Sequence, residues 1–201
     1  MKPVNVHQSL QNFSRKSFNA CRILAYVTFC FVVFVYTNLY ARKWEDSTRF
    51  PVPKGENLLF FLQRTKDANT VIYELNFKST GVLDTENPVK TSWIRYTENG
   101  RRKELSAIEE KFAYGVVSRS SGGDQFEIRL AAYKKMPLLL KRSVADNKYH
   151  IFLTCGEKES LLTRVFVQVS GGSFWNPKVD YIDLTAKDIT TGREFVHRIN
   201  P

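Results

Sequence analysis

Several residues are of types that could carry chemistry. In "LSAIEEKFAYGV", Glu109 and Glu110 stand side by side, as two carboxylates would for general acid/base work. In "VDYIDL", Asp180 and Asp183 form a second candidate pair. His150 in "KYHIFL" and His197 in "EFVHRI" could move protons or ligate a metal, and Cys155 in "IFLTCGEK" could act as a nucleophile. What each can do depends on the element that carries it. Adjacent helical side chains point about 100° apart, so Glu109 and Glu110 cannot share a proton. Strand residues three apart face opposite ways, which separates Asp180 from Asp183 unless a bulge intervenes. Each histidine reads as an ordinary strand residue. Cys155 alternates with Ile151 and Leu153, as a small buried hydrophobe does. The sequence contains no Gly-x-Ser-x-Gly elbow, no Walker loop and no His-x-x-x-His spacing, and "SSGG" and "SGGS" suit hairpin turns. No catalytic, cofactor or metal site is therefore expected, and a non-enzymatic role is favoured.

The elements that would position these residues are mostly strands. In "TVIYELNFK", Val71, Tyr73, Leu75 and Phe77 share one face, with Ile72, Glu74, Asn76 and Lys78 on the other. "QFEIRLAAY" aligns Phe126, Ile128, Leu130 and Ala132, and "LLTRVFVQVS" aligns Thr163, Val165, Val167 and Val169, so one face is expected buried and the other mostly wet. Short turns such as "ENGR", "SSGGD" and "TTGR" separate about nine strands. The expectation is a mainly β domain, an antiparallel β-sandwich or partly closed barrel, with one short helix. That helix is "SAIEEKFAYG". Ser106 and Glu109 have the spacing of a capping box, Ile108 and Phe112 share the face expected to lie on the sheet, and Gly115 is placed to end the helix in a left-handed conformation.

The chain has 201 residues, enough for one domain and a short addition. Its 15 Phe, 9 Tyr and 3 Trp favour sheets as the main users of apolar surface. The net charge is +10, yet the first 41 residues hold Lys2, Arg15, Lys16 and Arg22 with no acid. Downstream the basic excess is moderate and lacks the basic-aromatic interleaving of a nucleic-acid module, so no nucleic-acid partner is expected. Ile23 to Tyr40 carries no charge, and about 18 residues at about 1.5 Å each give roughly 27 Å, close to a hydrocarbon core. Basic residues precede it, whereas Arg42 and Lys43 are offset by Glu45 and Asp46, which predicts an inner N-terminus. The expected organisation is a cytoplasmic basic tail (1–22), a transmembrane signal-anchor (23–41), a linker (42–56) and an exported β domain (57–201). The protein is then a single-pass protein of the cell membrane, with its C-terminal domain periplasmic or extracellular. The alternative is a signal peptide cut near Ala41 and a secreted domain. Cys155 is the sole thiol of the exported part, which excludes a disulfide framework within it.

The stretches "LSAIEEKFAYGV", "ENLLFFLQRTKDANTVIYELNF", "SWIRYTENG" and "VDYIDLTAKDITTGREFVHRINP" carry a resemblance. Residues 57 to 201 resemble a functionally uncharacterised domain family of exported bacterial proteins, common among Bacteroidetes. The resemblance implies export and supplies no activity or catalytic residue.

Two surface features could serve binding. "SGGSFWNP" sets Phe174 and Trp175 in a glycine-flanked loop, which would suit a glycan, lipid or protein partner if exposed. Arg101, Arg102 and Lys103, with Lys134 and Lys135 further on, would favour anionic lipid or polysaccharide if clustered, and otherwise guard a strand edge. The resulting expectation is a membrane-anchored, externally facing β domain that binds or supports an envelope protein or polysaccharide. An envelope hydrolase acting on a polymer and a barrel carrying a small apolar ligand are the alternatives. A polar cleft gathering His150 or His197 with Asp180 or Asp183 would mark the hydrolase, and an apolar lumen would mark the carrier.

Overall fold

The computed structural model describes residues 50–201 apart from Lys66, Gly156, Glu157, Phe174 and Trp175. The expected tail, the 23–41 segment and residues 42–49 lie outside the described residues. Among the described residues no helix is long and apolar enough to cross a membrane.

Phe50–Pro201 forms one compact unit. Its strands are β1 (Leu58–Arg64), β2 (Asp67–Leu75), β3 (Val89–Arg95), β4 (Arg101–Glu104), β5 (Val116–Gly122), β6 (Gln125–Leu130), β7 (Tyr133–Arg142), β8 (Tyr149–Cys155), β9 (Lys158–Gly172), β10 (Pro177–Asp188) and β11 (Glu194–Ile199). Nine of them run in the order β4-β3-β2-β1-β9-β8-β7-β6-β5, a curled half-barrel, and β10 and β11 branch from β9.

The branch arises because β9 is 15 residues long. Its first residues pair with β8, and Arg164 to Val167 then pair with β1. β10 runs antiparallel to β9 from Ser160 to Gly172, and β11 folds back on β10. Strands joined by short turns are antiparallel as expected, but β1 and β9 pair in parallel, so the sheet is mixed. A long connection permits either sense, and no local signal reports it. Thr65 carries this ladder one step further, since its hydroxyl accepts the Val169 amide at 2.8 Å and its own amide reaches the Val167 carbonyl at 3.0 Å.

The core lies between the β1–β4 arm and the β5–β8 arm. Val71, Tyr73, Ile128, Leu138, Leu140 and Ile151 are all buried within it, on the faces that strand alternation assigns. Two departures have local causes. Ala132 belongs to the turn after β6 rather than to the strand. On β9 a register shift aligns Thr185 with Arg164 and Ala186 with Leu162, so Leu162 and Val165 both point inward and Thr163 is skipped. The Thr163 hydroxyl bonds the Thr185 carbonyl at 3.1 Å.

The outer face is drier than alternation suggests. Phe61, Ile72 and Phe152 are buried although they lie outside the main core cluster. Phe50 stands edge-on to Phe166 at 5.3 Å, and the Gln63 side-chain amide donates to the Pro51 carbonyl at 2.9 Å. Phe50 and Pro51 are thus held on the sheet, while Val52 is exposed.

The helical segment follows its cap and departs from its expected end. The Ser106 amide donates to the Glu109 carboxylate at 2.8 Å and the Glu109 amide to the Ser106 hydroxyl at 3.3 Å, completing the capping box of α1 (Ala107–Glu109). The chain then widens into a π turn over Glu110–Tyr114, closed by the Gly115 amide on the Glu110 carbonyl at 3.0 Å. Gly115 is extended, at φ −67° and ψ 176°, instead of left-handed. The wider turn also changes which side chain faces in. Tyr114 is buried, whereas Ile108 and Phe112 remain 51% and 56% exposed.

Burial pushes the Glu109 carboxyl up, but the Ser106 amide and hydroxyl, with Lys103 nearby, together hold it below the usual range. Because the folded value is depressed, the box contributes in full above the unfolded carboxyl pKa of about 4.3, and the contribution is lost as pH falls through the folded value. Glu109→Ala is expected to cost about 0.5–1 kcal/mol at neutral pH, the lower part of the capping range for an exposed site. Urea midpoints of the two proteins should converge in acid, and a gap independent of pH would contradict the cap role.

Candidate functional site

The residues chosen for acid/base chemistry are dispersed. Asp180 accepts the Ser170 hydroxyl at 2.7 Å, and Asp183 accepts from Nε and Nη2 of Arg198, each at 2.7 Å. Arg198 in turn lies 3.7 Å over the Tyr181 ring. His197 sits exposed on β11, opposite Leu184. His150 Nε2 is 2.8 Å from Asp146 at the exposed β7–β8 turn, and this contact, with the Lys148 amide, holds the Asp146 carboxyl low. Glu109 is committed to its cap. Glu110 lines a polar hollow between β3 and β5, where Lys90 and Glu104 pair at 2.9 Å. Among the described residues no cluster of His, Cys, Asp or Glu could hold a metal ion.

The expected binding surface divides as well. Arg101, Arg102 and Lys103 all lie on β4, the exposed strand at one end of the sheet path. Arg102 grips Glu74 through two bonds of 2.7 and 3.0 Å, and that grip raises its pKa. A strand end carrying such charges resists pairing with other chains. Phe174 and Trp175 lie outside the described residues.

Two further hollows among the described residues are lined by residues of both arms. The first, about 570 Å³, lies among Leu58, Leu75, Phe77, Asp124, Arg142 and His150. Its charges answer one another: Arg142 lies 3.8 Å from Asp124 and 4.5 Å over the Tyr149 ring. It gathers His150 but neither Asp180 nor Asp183.

The second, about 340 Å³, is apolar. It exists because β9 outruns β8 and keeps its alternation, presenting Val165, Val167 and Val169 along one wall, with Val179 and Ile182 from β10 beside them. Leu130, Met136 and the π turn form the opposite wall, and Arg64 and Tyr133 supply polar groups. Arg64 is paired with Asp67 at 3.4 Å. Such a groove can hold an apolar body. The Val-x-Val-x-Val run was visible in the sequence, but nothing local distinguishes a valine facing a filled core from one facing a hollow.

Residues 60–198 match the family model of a domain of unknown function, DUF4833. No curated protein and no solved structure matches the chain.

Proposed function

The chain belongs to the DUF4833 family, and since that membership carries no activity, we propose from the geometry that the domain is a non-catalytic binding module that holds a small apolar ligand in the groove between β9, β10 and the π turn. The observation that carries this reading is the hollow itself: about 340 Å³, walled by aliphatic side chains and open to solvent, within the size range of small-molecule sites. The uncharged 23–41 segment supports a single-pass tether, with the domain on the outer side of the cell membrane. A module of that kind presents or retains an apolar molecule at the cell envelope. An N-terminus at Arg42 in protein recovered from cells would replace the tether by secretion.

The test is binding of dansyl-labelled undecanoate to the Phe50–Pro201 unit, followed by dansyl fluorescence. One saturable site is expected. Val167→Trp, which fills the groove without introducing a charge, should weaken binding at least about tenfold, the loss of about 1.4 kcal/mol of contact, at unchanged unfolding midpoint. Non-saturable binding, or equal binding by the variant, would sink the proposal.

A further inference from the structure

We infer that β11 is a self-complementary sheet edge through which two copies of this chain pair antiparallel about a two-fold axis, whatever the groove binds. Among the described residues β11 is hydrogen-bonded to β10 alone, so its other side presents a row of unpaired backbone groups. Which groups those are follows from the ladder. The Asp188 amide donates to the Arg193 carbonyl at 3.0 Å, and these two residues are the opposed pair that follows Lys187 and Glu194. Hydrogen-bonded pairs alternate along an antiparallel ladder, so Phe195, His197 and Ile199 turn their backbone groups to β10. Glu194, Val196 and Arg198 turn theirs to the open edge. The side chains of these three also share the outer face: Phe195 and Ile199 pack against the core on the inner one, while Val196 stays 58% exposed between Glu194 and Arg198.

Two antiparallel copies can exchange hydrogen bonds only through residues of the open-edge set. The register of greatest overlap sets Val196 against Val196 of the second copy, on the axis, and Glu194 against Arg198 of the second copy. It forms about six backbone hydrogen bonds, two for each opposed pair of that set, and it covers Val196. It also continues a charge pattern already present within each copy. Lys187 lies opposite Glu194, and Asp183 lies opposite Arg198 and accepts from it at 2.7 Å. Across the four strands the row then runs Lys187, Glu194, Arg198, Asp183, changing sign at every step, and the two-fold axis repeats it in the other direction. β4 fails the same comparison, since full overlap with its own copy would set Arg102 against Lys103. An edge of 6 residues makes a small contact, so the pair belongs to the weak, reversible class.

The test uses the full chain in mild detergent and reads amide exchange residue by residue as its concentration is raised about a hundredfold. Exchange at Glu194, Val196 and Arg198 should slow by about threefold or more by mass action, while Phe195, His197 and Ile199, already bonded to β10, should not change. Glu194→Lys sets like charges opposite at both ends of the contact and should require about tenfold more protein for the same slowing. In a chain carrying Cys21→Ala, Cys30→Ala and Cys155→Ala, oxidation should link Val196→Cys into a disulfide dimer at least about tenfold faster than Glu194→Cys. The two copies' Cα atoms stand about 5.5 Å apart at residue 196, within disulfide reach, and about 14 Å apart along the strands at residue 194. Exchange that ignores concentration, slowing confined to residues outside β11, or equal linking at the two positions overturns the inference.

Discussion

Alanine at Gly115 is expected to cost the domain about 3 kcal/mol, the upper end for a forced overpacking. The reason is space rather than conformational freedom, because the φ of −67° suits any residue. A Cβ at this position would press into the Glu110 carbonyl oxygen and lie 2.8 Å from its carbon. That carbonyl is main chain, and Gly115's own amide holds it at 3.0 Å, so it cannot step aside without breaking the bond that closes the π turn. The Gly115 carbonyl meanwhile accepts the Ala131 amide at 2.9 Å, tying the turn to the β6–β7 connection. Gly81 offers a contrast: it is left-handed at φ 77° with no atom near a would-be Cβ, so alanine there carries only the backbone penalty of about 1–2 kcal/mol. Urea unfolding of both variants separates the two mechanisms. A Gly115→Ala protein as stable as the parent would refute the close approach.

The second large effect is expected at Tyr73. Its ring is fully buried and stacks on Phe60 with centroids 4.1 Å apart and planes 6° from parallel. Its hydroxyl donates to the Tyr114 carbonyl at 2.8 Å, joining β2 to the end of the π turn. Burial, reinforced by Tyr114, pushes the phenol pKa up, so the group remains a donor at neutral pH. Tyr73→Phe keeps the ring and orphans a buried carbonyl, which should cost about 1–3 kcal/mol. Tyr73→Ala also opens a cavity between the arms and should cost about 3–5 kcal/mol or more. If phenylalanine proves neutral while alanine is costly, the ring alone matters and the tie to the turn is incidental. The two predictions concern one junction, since Tyr114, which lines the groove, and Gly115 are consecutive. Loosening either should therefore weaken undecanoate binding as well as stability.

What the sequence determined by itself was local. Alternation placed Val71, Tyr73, Phe126, Ile128 and Leu130 in the core, because side-chain direction along a strand depends only on the backbone pleat. The Ser106–Glu109 capping box was legible for the same reason, its partners being three residues apart. Local reasoning also dismissed the Glu109-Glu110 and Asp180-Asp183 pairs, and the structure commits Glu109 to a cap, Asp180 to a serine and Asp183 to an arginine.

What the tertiary structure decided was everything that depends on distant chain. The parallel meeting of β1 with β9, about a hundred residues apart, leaves no mark in either segment. The β9 register shift reassigned Thr163, and the π turn turned Phe112 outward and Tyr114 inward, through backbone hydrogen bonds whose choice depends on what the turn packs against. The groove is the clearest case. Val165, Val167 and Val169 announce an apolar face by their spacing, but a hollow is the absence of a filling partner, and only the placement of other strands determines where the filling stops.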